Sequence, residues 1–143
     1  MAHYLVVAHQ TATSPELRRR VQAILRDDPG AEFAVLLPAA QSGFHIIEDE
    51  EVAREESLRR AEEARAMLES AGAKVTRTQV GSSHPYDAIE DELREHPVYD
   101  ALVICTLPAG ISRWLRQDLP HKAEKFGLPV RHVVAEQQVG AHV

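Results

Sequence analysis

The chain has 143 residues, 44% of them hydrophobic and 27% charged, and a formal net charge of -6. That length and composition fit one globular domain, able to bury about two-thirds of its unfolded surface, and exclude an intrinsically disordered chain. The acid excess argues against nucleic-acid binding by phosphate neutralisation, and the single cysteine, Cys105, excludes an internal disulfide and a four-cysteine zinc site.

Met1-Ala2-His3-Tyr4 puts no basic stretch ahead of its apolar run, so no signal peptide is expected. The apolar runs are a handful of residues each, far short of the roughly 20 that cross a bilayer. A cytoplasmic chain with no membrane partner is therefore expected.

Tyr4-Leu5-Val6-Val7-Ala8 reads as a strand covered on both faces. Ser14-Pro15-Glu16 supplies an N-cap hydroxyl, a first-turn proline and an early acid for a helix carrying Leu17, Val21, Ile24 and Leu25. Asp28-Pro29-Gly30 stops it, and Phe33 to Leu37 forms a second buried strand ended by Pro38. Ala39 to Glu51, with Gly43 and the acids Glu48, Asp49, Glu50 and Glu51, reads as an exposed loop. A helix from about Val52 to Ala71 follows, with a small-residue face at Ser57, Ala61, Ala64, Leu68 and Ala71 and a left-handed cap at Gly72. Lys74 to Val80 alternates, as a strand near a sheet edge does. After Gly81-Ser82-Ser83, Pro85 opens a helix with the stripe Tyr86, Ile89 and Leu93, and His96-Pro97 ends it. Ala101 to Cys105 is the most apolar strand and is expected at the centre. A helix from near Ala109 should carry Ile111, Trp114 and Leu115 inward, be interrupted by Pro120 and resume through Ala123 and Phe126. Val130 to Val134 is a last, edge-like strand.

This alternation of strand and helix with short connections implies parallel strands and right-handed crossovers, hence an open, doubly wound α/β sheet with helices on both faces. Residues 1–135 are expected to form the domain and 136–143 a C-terminal tail.

In such sheets ligands bind beyond the carboxyl ends of the strands, where the strand order reverses. The loops nominated are His9, Gln10 and Thr11 after the first strand, Pro38 after the second, Gly81 after the third, and Thr106 to Arg113 after the fourth. In the last, Thr106, Gly110, Ser112 and Arg113 bring hydroxyls, a glycine and a cation to the start of a helix, which suits an anion. Taken alone, the same residues also read as a glycine turn followed by a serine cap.

Asp100-Ala101-Leu102-Val103-Ile104 leading into Gly110-Ile111-Ser112-Arg113-Trp114-Leu115, then Ala123-Glu124 and Leu128-Pro129-Val130, resembles the universal stress protein family over about His3 to Val134. Gly81-Ser82-Ser83-His84-Pro85 resembles that family's turn before its third helix. The resemblance implies a five-stranded parallel sheet of order 3-2-1-4-5 and a homodimer through the last strand, with Val130, His132, Val133 and Val134 at the contact. It also implies an adenine-nucleotide pocket, in which ATP-binding members use an aspartate after strand one and a glycine-rich G-x2-G-x9-G-S/T stretch after strand four.

This chain departs from that pattern. His9 or Gln10 stands at the aspartate position, according to how the loop is aligned. The first two glycines are replaced from among Thr106, Leu107, Pro108 and Ala109, and Gln117-Asp118-Leu119-Pro120 lies where the final G-S/T pair belongs. Proline offers no N–H, a Cβ holds backbone away from phosphate oxygens, and Asp118 repels phosphate at close range. ATP is thus a disfavoured cofactor, and another small polar or anionic ligand is expected in a degenerate nucleotide pocket. A regulatory or binding role without strong enzymatic activity follows, with an ATP-binding switch and a purely structural interaction domain as alternatives.

The histidines include no pair at metal-ligating helical or H-x-H spacing, so no metal is expected. Cys105, at the end of an apolar strand, reads as an inert core thiol and Trp114 as core packing. Neither a G-x-S-x-G elbow nor a Walker A loop is present.

Overall fold

The apolar runs become strands because each is covered on both faces. The computed structural model describes residues 1–39 and 50–136. Its strands are β1 (His3–Val7), β2 (Glu32–Pro38), β3 (Lys74–Gly81), β4 (Ala101–Thr106) and β5 (Val130–Val134). They form one parallel sheet of order β3-β2-β1-β4-β5, with Leu5 in register with Ala34 and Leu102. The helices are α1 (Pro15–Asp27), α2 (Glu50–Ser70), α3 (Pro85–Glu95), α4 (Arg113–Arg116) and α5 (Leu119–Ala123), followed by a 3-10 turn at Glu124–Phe126. This is the architecture expected from the sequence.

Alternate residues of the central strands feed two cores. Tyr4, Val6, Phe33, Val35, Val103 and Cys105 pack with Leu17, Val21 and Ile24 of α1 and Ala61, Ala64 and Leu68 of α2. Leu5, Val7, Leu36, Leu102 and Ile104 pack on the other face with Ala88 and Ile89 of α3 and Leu119 and Ala123 of α5. The start of α1 is fixed as the sequence implies: Leu17 N donates to Ser14 Oγ at 3.2 Å, with Pro15 in the first turn. Gly72 takes φ +100° behind α2, a conformation that glycine adopts without a Cβ clash.

Edge strand β3 carries an irregularity. Its pairing shifts by a residue, from Phe33 with Val75 to Ala34 with Arg77, and Thr76 Oγ1 donates to the Phe33 carbonyl at 3.3 Å. The shift turns Val75 to the α2 core and brings Arg77 to Glu92 of α3.

The chain after β4 corrects the sequence reading. A helix from near Ala109 would turn Ile111 inward; instead α4 is the single turn Arg113–Arg116, and Ile111 is 46% exposed. Gly110 at φ +96° reverses the chain first, and the amides of Ile111 and Ser112 donate to the Pro108 carbonyl at 3.3 and 3.0 Å. Nor does Pro120 break the helix. Asp118, at φ 60°, separates α4 from α5, and Pro120 lies in the first turn of α5, where its missing N–H leaves no helical bond unmade.

Helix α2 starts at Glu50, two residues before the expected Val52, and the acidic stretch through Asp49 lies outside the described residues. So does the tail from residue 137. Ala135 is buried against the α1 core and its N–H donates to the Thr106 carbonyl at 2.8 Å, extending the β5 ladder. No helix among the described residues is long and apolar enough to cross a membrane.

Candidate functional site

From β1 the chain steps to β2 and β3 on one side and later to β4 and β5 on the other, so strand order reverses between β1 and β4. A cleft of about 290 Å³ opens there. That is near the lower end of small-molecule sites, which run from about 300 to 1,000 Å³. Its walls come from His9, Gln10 and Thr11 after β1, Pro38 and Ala39 at the end of β2, and Ser83 ahead of α3. The rest comes from Cys105, Thr106 and Leu107 at the end of β4 and from Ile111 to Trp114 and Arg116.

Seven of the nine nominated residues therefore meet in one cleft: His9, Gln10, Thr11, Pro38, Thr106, Ser112 and Arg113. Gly81 and Gly110 are outside its lining. A Cβ on Gly81 would stand 3.0 Å from Ala88 Cβ and 3.1 Å from Leu36 Cδ1, so Gly81 serves the seating of α3 on the sheet. Gly110 has open space around it and shapes the turn after β4. Sequence reasoning missed Ser83 and Arg116; Cys105 and Trp114 pack against the cores as expected and also line the cleft, whereas Ile111, expected inward, is exposed at its wall. Arg116 was recoverable, since it lies three residues from Arg113 and so on the same helical face.

The hydroxyls are partly committed. Thr11 Oγ1 donates to the Cys105 carbonyl at 2.9 Å and ties the β1 loop to β4. Ser112 Oγ accepts the Leu115 N–H at 3.1 Å as the N-cap of α4, which leaves its own proton for another partner. Thr106 Oγ1 lies 2.8 Å from His132 Nε2 on β5. The anion site expected at a helix N-terminus is not the feature present: α4 is one turn long and already capped by Ser112, and so short a helix sums little dipole.

His9 is held neutral. Burial pushes its pKa down to about 4, and Arg60 of α2 pushes the same way against a smaller opposing pull from Glu56. Its ring thus offers one donor and one acceptor at neutral pH. Burial also raises the Cys105 thiol, only partly offset by Thr11 and Ser14, which makes it a poor nucleophile. The cleft contains two guanidiniums, Arg113 and Arg116, and no Asp or Glu among its described lining residues. No group of three His, Cys, Asp or Glu side chains suited to a metal comes together among the described residues.

Fold and site together define an open, doubly wound α/β domain with a cleft at its switch point. More particularly, the fold is that of the universal stress proteins. The chain resembles a universal stress protein of Archaeoglobus fulgidus with a TM-score of 0.63 and 20% identity, covering 93% of each chain. An Arabidopsis thaliana family protein with AMP bound matches with a TM-score of 0.67 and 12% identity, over 96% of this chain and 94% of that one. The Archaeoglobus fulgidus protein in complex with dAMP matches at 0.55 and 21% identity, over 93% and 97%. No protein-family profile and no curated protein matches the sequence.

Proposed function

We propose that this chain is a regulatory binding domain whose cleft takes a small anionic ligand of mononucleotide size. The observation that carries the reading is a switch-point cleft with two arginines and no carboxylate in its described lining. Guanidiniums match phosphate oxygens in charge and fork geometry. Neighbours of the same fold bound to AMP and dAMP support a nucleoside monophosphate as the ligand class.

A triphosphate is disfavoured by the turn after β4. Pro108 has no N–H, and the amides of Ile111 and Ser112 are turned back onto the Pro108 carbonyl, so this stretch does not aim a row of amides at a phosphate tail. The neutral His9 and the raised Cys105 thiol are likewise poor tools for hydrolysis, which supports binding without turnover. β5 supports a homodimer through its outer edge: it is hydrogen-bonded to β4 alone among the described residues, and Val134 is 42% exposed.

The test is calorimetric titration of the chain with AMP and with magnesium ATP, repeated on the R113A/R116A variant. Expected is AMP binding that the double substitution weakens at least tenfold, and weaker or absent ATP binding. AMP affinity unchanged by losing both guanidiniums would refute the site, and tighter binding of ATP than AMP would refute the size limit. Sedimentation at graded concentration, with Val134→Glu as the disrupting variant, tests the dimer.

A further inference from the structure

One contact joins the cleft to the outer strand. Thr106, at the end of β4, is 2% exposed and lines the cleft. Its hydroxyl meets His132 Nε2 of β5 at 2.8 Å. No other side-chain partner of the Thr106 hydroxyl, and none of His132 Nδ1, occurs among the described residues. A hydroxyl has one proton and two lone pairs. If Thr106 donates to the imidazole, it turns lone pairs toward the cleft. If the imidazole donates to Thr106, the threonine proton is released toward the cleft instead. A cleft with two arginines and no described carboxylate in its lining is built for an anion, and an anion needs the second arrangement.

We propose that His132 is a positioning residue: its Nε2–H donates to Thr106 Oγ1 and thereby aims the Thr106 hydroxyl proton at the anion bound in the cleft. This rests on the anionic-ligand reading above and adds to it a residue of the outer strand that does not line the cleft. Burial lowers the His132 pKa, so the neutral ring with its single proton is the form present at neutral pH.

The experiment has two arms on the full chain. In the first, imidazole nitrogen spectra of the ligand-free protein at neutral pH report which His132 nitrogen carries the proton. A protonated Nε2 is expected, and a bare Nε2 overturns the proposal. In the second, AMP is titrated into the wild type, H132A, H132Q, T106V and H132A/T106V. H132A should weaken AMP binding about fivefold, the weight of one hydrogen bond, and H132Q, whose amide N–H reaches a similar position, should recover most of it. T106V should weaken binding comparably, with no further loss when H132A is added. Equal affinity of H132A and wild type, or a full second loss in the double variant, overturns the proposal. A wild type that ignores AMP would count against the ligand reading, while the nitrogen spectra would still decide which way this hydrogen bond runs.

Discussion

Replacing Arg77 with alanine gives a sharp test of the packing between β3 and α3. Glu92 is 3% exposed, and its carboxylate accepts Arg77 Nε at 2.8 Å, Arg77 Nη2 at 3.3 Å and the Tyr99 hydroxyl at 2.7 Å. Burial alone would raise the Glu92 pKa, but these hydrogen bonds and the Arg77 charge outweigh it and hold the carboxyl below its ordinary value. R77A leaves a buried carboxylate with one donor. Breaking a fully buried pair costs about 3–5 kcal/mol. The Arg77 side chain is 32% exposed, so water can re-enter beside Glu92, and a loss of about 2–3 kcal/mol is expected. For a domain of this length that lowers Tm by about 6–12 °C. The sign with pH follows from linkage: a carboxyl with a depressed folded pKa adds stability above its unfolded value of 4.5, and that contribution disappears as pH falls through the folded value. In R77A the same carboxyl is penalised instead, so the gap between wild type and variant should be wide at pH 7 and narrow in acid. Urea unfolding of both proteins across the acid range measures it. A loss under about 1 kcal/mol, or a gap independent of pH, would refute the assignment of Glu92 as a charged, Arg77-dependent group.

Two further perturbations probe the site's supports. Gly81→Ala forces a Cβ to within about 3 Å of Ala88 and Leu36, so α3 must shift and stability should fall by about 1–3 kcal/mol in thermal or urea unfolding, as overpacked cores do. His9 should stay neutral in proton NMR titration until pH is near its value of about 4. Stability then declines between the unfolded value of 6.5 and that folded value as pH falls, because only the unfolded chain takes up the proton there. Arg60→Ala should raise the His9 midpoint; an unmoved midpoint would remove Arg60 as a cause.

The fold was legible where one residue type has one physical use. Continuous apolar runs such as Ala101 to Cys105 have few places to go except the middle of a sheet covered on both faces, and Ser14-Pro15 announces a helix start. Two-layer cores then follow from alternation within each strand. Long-range polar pairing was not legible. In sequence α3 shows the apolar stripe Tyr86, Ile89 and Leu93, and Glu92 looks like a surface acid; in the fold it is buried because the β3 shift at Thr76 delivers Arg77 to it across 15 positions. No local period carries that information, since it depends on where another strand is offset.

The site shows the same division. Topology nominated the loops, and most of the nominated side chains do converge, because the carboxyl ends of β1, β2 and β4 lie side by side. What topology could not supply was the path after β4. Locally, Gly110 and Ser112 read first as a turn and cap and, against that, as an anion-binding helix start, and the hydrogen bonds agree with the turn: Ile111 and Ser112 donate inward to Pro108, and Ser112 caps Leu115. Under the proposed function, anion recognition in this cleft would therefore fall to side chains rather than backbone. Backbone amides in a row can follow a polyphosphate chain, whereas two arginines three residues apart and a threonine hydroxyl lining one cleft suit the single anionic group proposed above. The short turn that removed the amides also left Ile111 exposed beside Arg113, so one segment sets both the charge and the apolar wall of the cleft.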